Sequence, residues 1–269
     1  MEDRHAPGAR PDTRRPCPGS RRLSPPPPPT PPPLRAGRRC STIGPMAATI
    51  EHPSGPALRT RWQETVDRAR GGTAAPEGAP DPGPYADDLL RRWSEPQRRY
   101  HTVDHLVAVL DRVDELAAHA DDADAVRLAA WFHDAVYRPD RSENEERSAL
   151  LAERALPELG VGAARTAEVA RLVRLTVGHD PATGDRDGEV LSDADLAVLA
   201  GSPQEYAAYA AAVREEYGFV PDAAFREGRS AVLRQLLELP RLFRTPLGYD
   251  RWEAVARHNL GTELDLLAG

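Results

Sequence analysis

His105, the pair His133-Asp134 and Asp195 are spaced through the middle of this chain, and each carries a side chain able to hold a metal. Imidazole nitrogens and carboxylate oxygens together suit a hard or borderline divalent ion, Mn, Fe, Ni, Co or Mg. The pair is the most informative of the set. In the helical run Val126 to Tyr137, the residues Ala129, Ala130, Val136 and Tyr137 lie one turn before or after it, so the pair faces a packed interior. An imidazole and a carboxylate buried there cost free energy unless something binds both. A buried histidine satisfied by its neighbouring carboxylate explains an isolated pair. It does not explain further candidates of the same chemistry on other helices.

Those candidates each have a plain alternative. His101 and His105 are four apart in Tyr100-His101-Thr102-Val103-Asp104-His105, close enough to share a helix face, although half-exposed polar residues at a helix start would read the same way. Asp193 and Asp195 compete for one role. Asp195 lies one turn from Leu191, Val198 and Leu199 and is the better ligand, whereas Asp193 sits nearer the polar loop and suits a carboxylate favoured by the dipole at a helix N-terminus. His179, at the end of an apolar stripe, fits a proton carrier, a support to a ligand, a ligand to a second metal, or an imidazolium at a helix C-terminus. Glu145 has the spacing of a capping box with Ser142, and is otherwise a carboxylate able to help organise a hydrated ion or a second one. Arg99 and Arg138 are near the ligands in sequence and able to pair with an anion, but Arg is the only basic residue type in this chain besides His, which weakens any single assignment.

The elements that must position these groups are helical. Apolar positions at helical spacing begin near residue 57, and a Gly/Pro-rich loop, 71–84, separates a first helix from Tyr85 to Trp93. Thr102 is placed to cap a helix with the stripe Leu106, Val109, Leu110, Val113 and Leu116. Helices are expected over 124–137, from Ser142 to Leu156, over 163–179 and over 191–200, the last preceded by a polar loop, 180–188. Ser202, Pro203 and Glu205 mark the start of a helix to Tyr217, and two more, about 222–239 and 249–266, complete an all-α chain. No period-2 strand pattern appears.

Composition sets the boundaries. Residues 1–45 are rich in Pro, Arg and Gly and nearly free of large apolar side chains, so they are expected to be a disordered tail; Met46 followed by Ala-Ala-Thr has the form of an alternative translation start. The rest, 46–269, reads as one helical domain, with a metal-site core at about 99–200 and C-terminal helices over 202–267. The tail carries nine Arg against three acidic residues, so the remainder is more acidic than the overall −7 suggests. An extended nucleic acid is therefore not expected as a partner. Both cysteines, Cys17 and Cys40, fall in the tail, which leaves the helical region without thiol chemistry. No run approaches the about 20 apolar residues of a membrane span, and the expected location is cytoplasmic.

The order His105, His133-Asp134, Asp195 resembles the H…HD…D signature of the HD-domain metal-dependent phosphohydrolase superfamily. The segments Tyr100-His101-x3-His105-Leu106, Trp131-Phe-His-Asp-x-Val-Tyr137, Asn144-Glu-Glu-x-Ser-Ala149, Thr176-x2-His179 and Asp193-Ala-Asp-Leu196 are similar, in that order, to a bacterial subgroup of predicted HD phosphohydrolases. The likeness reaches Ala256-Arg-His-Asn-Leu260 and Glu263, covering about Arg99 to Leu267. It implies an HD-like helical bundle in which His105, His133, Asp134 and Asp195 hold a divalent metal, and it too favours Asp195 over Asp193. His101 matches a position that donates a proton to the leaving oxygen in related cyclic-nucleotide phosphodiesterases. The expected activity is hydrolysis of a nucleotide or small phosphoester by metal-activated water, with His101 or His179 handling the proton and Arg99 or Arg138 holding the phosphate. The competing readings are a non-catalytic metal- or nucleotide-binding protein of the same fold and an HD-type di-iron oxygenase.

Overall fold

The apolar stripes fold as helices throughout the residues described by a computed structural model of the protein, 52–72, 78 and 80–269. No strand occurs among the described residues, and the all-α expectation holds. The tail over 1–45, Met46 and both cysteines lie outside them. The described residues fall within one unit, Ile50–Gly269.

The innermost element is α4 (Ala123–Phe132), whose sequence is apolar on nearly every side: seven of its ten residues are buried, so it needs partners all round. These are α1 (Gly55–Ala69), α3 (Val103–Leu116), α6 (Ala163–Leu175) and α7 (Arg186–Leu196). α2 (Gly83–Trp93) packs against α1 and α3, and α5 (Asn144–Glu158) lies along α6. A 3-10 turn, Ala197–Ala200, leads to α8 (Pro203–Glu216), α9 (Asp222–Glu238) and α10 (Pro246–Ala268), with α10 packed on the turn and on α9. Aromatic rings fill the centre. Trp62 meets Trp131 edge-on at 5.2 Å, and the indole N–H of Trp93 donates to the carbonyl of Trp131 at 3.1 Å.

Several helix ends differ from their sequence expectation, through long-range contacts at α4 and local caps at α7 and α10. The helix expected over 124–137 stops at Phe132, so His133-Asp134 sits at its C-terminal end rather than inside it. Groups from elsewhere take over the hydrogen bonds that further helix would have made: Arg98 Nη2 donates to Asp134 O at 2.8 Å, and the Val136 amide donates to Ser148 Oγ at 3.0 Å. α6 ends at Leu175, not His179, and His179 adopts a left-handed backbone with φ 49°. α7 begins at Arg186 rather than Leu191, because Asp185 caps it by accepting from the Gly188 amide at 3.0 Å. Gly188, read as part of a loop, is instead a close-packing position: a Cβ there would collide with Asp185 and Leu175.

The capping box of Ser142 with Glu145 does not form. Glu143 precedes α5 and makes no side-chain cap, while Asn144 ties the preceding turn by accepting from the Arg138 amide and donating to the carbonyls of Arg138 and Arg141. Thr102 stands at the start of α3 without a capping bond. The box of Ser202 with Glu205 is fully formed and opens α8 as expected. α10 starts at Pro246, ahead of the expected Tyr249, because Thr245 caps it through the Gly248 amide.

Candidate metal centre

Three of the sequence-predicted ligands converge. His105 comes from the first turn of α3, His133 from the end of α4 and Asp195 from the last turn of α7, and one ligand atom from each lies within 4.8 Å of the others. His105 Nε2 is 3.0 Å from Asp195 Oδ1 and 3.4 Å from His133 Nε2, which is itself 3.7 Å from the same carboxylate oxygen. The carbonyl of Ala130 accepts from His133 Nδ1 at 2.7 Å, so that nitrogen carries the proton and Nε2 directs its lone pair at the cluster. Both imidazoles are buried against Trp93, whose ring centroid is 5.3 Å from that of His133 and 6.1 Å from that of His105. A divalent cation fits this donor set: two imidazole nitrogens and a carboxylate oxygen that otherwise face one another. Asp134 stands beside the trio, with Oδ2 3.4 Å from His133 Nε2 and 3.8 Å from His101 Nε2.

The surrounding groups keep the trio in the states a metal requires. Burial lowers the pKa of His105, favouring the neutral imidazole that ligates. Burial opposes ionisation of Asp195, yet His133, His105 and His179 hold its carboxyl well below the usual range. His179 Nε2 is 2.7 Å from Asp195 Oδ2, a contact that orients the carboxylate and leaves Oδ1 for the trio. The left-handed turn at His179 makes this reach possible, since it sends the chain back toward α7 just beyond α6.

His101 is fixed from the other side by Glu216, a residue to which the sequence reading assigned no role. His101 Nδ1 is 2.6 Å from Glu216 Oε1, while the amides of Arg99, Tyr100 and His101 all donate to Glu216 Oε2 and the Tyr137 hydroxyl donates to Oε1. Burial raises the Glu216 pKa, but the bond from His101 and these other donors outweigh it and bring it to about 2. For His101, burial is outweighed by Asp134 and Glu216, and its pKa rises. Arg98 is the second unforeseen member. Its side chain is buried, lies over Trp93 and Tyr137, and joins the carbonyls of His101 and Asp134 at 2.9 and 2.8 Å. The chain places Arg98 and Arg99 side by side, and no local pattern distinguishes the buried one from the exposed one.

The other expected groups lie apart from the trio or serve other contacts. Asp193 is fully buried, more so than Asp195, and it is near the C-terminal end of α7 rather than at a helix N-terminus. It accepts from the amides of Arg244 and Thr245 and from the Thr245 hydroxyl, at 2.7–2.8 Å, and so clasps the entry to α10. Burial lifts its pKa to about 6 against those bonds. Glu145 is half-buried in the first turn of α5. The Arg99 guanidinium donates to the carbonyls of Pro96 and Arg98, and that of Arg138 pairs with Asp140 on the surface.

A cavity of about 590 Å³ opens onto the cluster through His101, His179 and Asp195 and runs between the 3-10 turn, α8 and α9. Arg229 is its sole Arg or Lys side chain among the described residues. No family model, curated protein or solved structure matches this chain.

Proposed function

We propose that the protein is a metal-dependent phosphohydrolase of the HD-domain type, acting on a nucleotide or small phosphoester. The observation that supports this most is the convergence of His105, His133 and Asp195, the last of which lines a cavity wide enough for a small organic ligand. These residues would hold the ion, with Asp134 next to it. A divalent ion bound there would lower the pKa of a coordinated water and polarise a phosphoryl oxygen.

The protein's own groups then have distinct tasks. His179 orients the Asp195 carboxylate, and Trp93 fixes both imidazole planes. His101 lines the cavity with Nδ1 committed to Glu216, which leaves Nε2 available to give a proton to a leaving alkoxide oxygen. Glu216 is thus a positioning residue for His101. A cytoplasmic metabolite is the substrate source this reading favours.

The test is hydrolysis of a phosphoester panel by the full chain supplied separately with Mn, Fe, Ni, Co and Mg. Activity with at least one ion is expected, and His133→Ala and Asp134→Ala should remove it. Full rates in both variants, or no turnover of any phosphoester by a metal-loaded chain, would overturn the assignment. Iron-dependent oxygen uptake would favour the oxygenase reading instead.

A further inference from the structure

The cavity beside the cluster is polar at one end and mostly apolar over the rest, where Arg229 and Tyr209 are polar exceptions that pair with each other. At the cluster end are His101, His179 and Asp195; away from it the walls are side chains such as Leu199, Val213, Phe225, Val232 and Leu236. Two lining residues are large and strongly exposed at the surface, Val177 at 70% and Val232 at 48%, and Phe219, 60% exposed, stacks on the cavity residue Tyr217. Such exposure at the edge of a cavity marks a surface suited to an apolar ligand.

The charge inventory narrows the class further. Arg229 is nine-tenths buried and already committed: Nε and Nη2 pair with the two oxygens of Glu263 at 2.8 and 2.9 Å, and both terminal nitrogens donate to the Tyr209 hydroxyl at 3.2 Å. It has no charge left over for an anion. A di- or triphosphate would therefore carry uncompensated negative charge into an apolar space, at a cost of several kcal/mol for each unpaired charge. A single phosphoryl group at the cluster, followed by an uncharged body, meets no such penalty.

Gly228, midway along α9, points to the same use. Glycine in a helix interior costs roughly 0.5–1 kcal/mol relative to alanine. This one lines the cavity, and a Cβ built on it would have no atom within 4 Å, so its effect is to leave space in the wall.

Resting on the hydrolase reading above, we propose that the substrate is the phosphomonoester of an apolar, aryl- or alkyl-bearing alcohol. Its phosphoryl group meets the His/Asp cluster and its organic body fills the cavity walled by α8 and α9. Hydrolysis breaks the P–O bond to that alcohol: water supplies the oxygen that ends on phosphate, and the alkoxide oxygen takes a proton, leaving inorganic phosphate and the free alcohol.

Calorimetric titration of the full chain, with and without Mn, tests this using 2-naphthylmethylphosphonate, methylphosphonate, adenosine triphosphate and 2-naphthylmethanol. The naphthyl phosphonate should bind at least about tenfold more tightly than methylphosphonate or the triphosphate, the minimum expected from burying a bicyclic ring. Gly228→Leu, which raises helix propensity and fills the gap, should remove that advantage while the melting temperature does not fall and Mn affinity stays unchanged. Equal affinity for the naphthyl and methyl compounds, tighter binding of the triphosphate, or no effect of Gly228→Leu would overturn the proposal. Binding of 2-naphthylmethanol to the metal-free chain, blocked by Gly228→Leu, supports the cavity assignment even if no phosphoester is turned over, in which case the hydrolase reading alone fails. Faster hydrolysis of the triphosphate than of 2-naphthylmethyl phosphate leaves that reading standing and sinks this one.

Discussion

The two sides of the cavity are built differently. The cluster side is core: α4 has seven of ten residues buried, and His105 and His133 sit among Trp93, Leu106 and Phe132. The opposite wall is peripheral, for α9 buries only Ser230 and Leu233 of its seventeen residues, and α8 buries Tyr206, Val213 and Glu216. The candidate ligands are thus mounted on the most buried part of the fold, and the opposite wall of the cavity on a more exposed part. Substitutions of the core residues that brace the first side should lower stability and metal affinity together, whereas substitution of a ligand itself should lower metal affinity more than stability. On the second, substitutions at the cavity wall and rim, Glu216 apart, should change ligand choice and little else.

The largest effect should come from Trp93→Ala. It removes a fully buried ring that props both imidazoles and bonds the Trp131 carbonyl, and should lower the unfolding free energy by about 3–5 kcal/mol in denaturant titrations. A loss below about 1 kcal/mol would mean that the cluster is not locked into the core. Next, Asp193→Ala leaves the buried amides of Arg244 and Thr245 without acceptors and should cost on the order of 2–4 kcal/mol, while Asp195→Asn should keep most of the stability and lose metal binding. Equal behaviour of the two variants would contradict the division of labour along α7.

Acid should expose the link between the two sides. Glu216 belongs to α8 yet holds the backbone over 99–101, and its folded-state pKa, about 2, lies below the ordinary 4.5. The unfolded chain therefore binds the proton more readily. The stabilisation is complete above about pH 4.5 and is lost as pH falls toward 2, to the extent of about 3 kcal/mol. Unfolding followed against pH should show this slope in the wild-type chain and a flatter one in Glu216→Gln. The smallest effect belongs to the rim: Phe219→Ser, on a side chain 60% exposed, should change stability by no more than about 0.5 kcal/mol.

What was legible in the sequence follows the same division. The helices are written in local periodicity, and the Ser202-Glu205 box in adjacent residues, so both could be read directly. His105, His133 and Asp195 could be singled out because residues of one chemistry recur on apolar faces. Glu216 and Arg98 could not, since each works through partners distant in sequence or through backbone groups that carry no residue signature. The end of α4 was misplaced for the same reason: Arg98 and Ser148 replace its hydrogen bonds from outside, and Ala135 to Tyr137 would read as helix without them. Asp193 and Asp195 were separated by apolar neighbours, but the greater burial of Asp193 depends on the α10 entry, which lies about fifty residues further on.

The central claim is that His105, His133 and Asp195 share one ion. Cobalt titration of the full chain, followed by calorimetry and visible absorption, tests it most directly. A single tight equivalent with a ligand-field spectrum is expected, weakened at least about a hundredfold by His105→Ala, His133→Ala or Asp195→Ala taken singly. Absence of tight binding in the wild-type chain, or unchanged affinity in all of these variants, would contradict it.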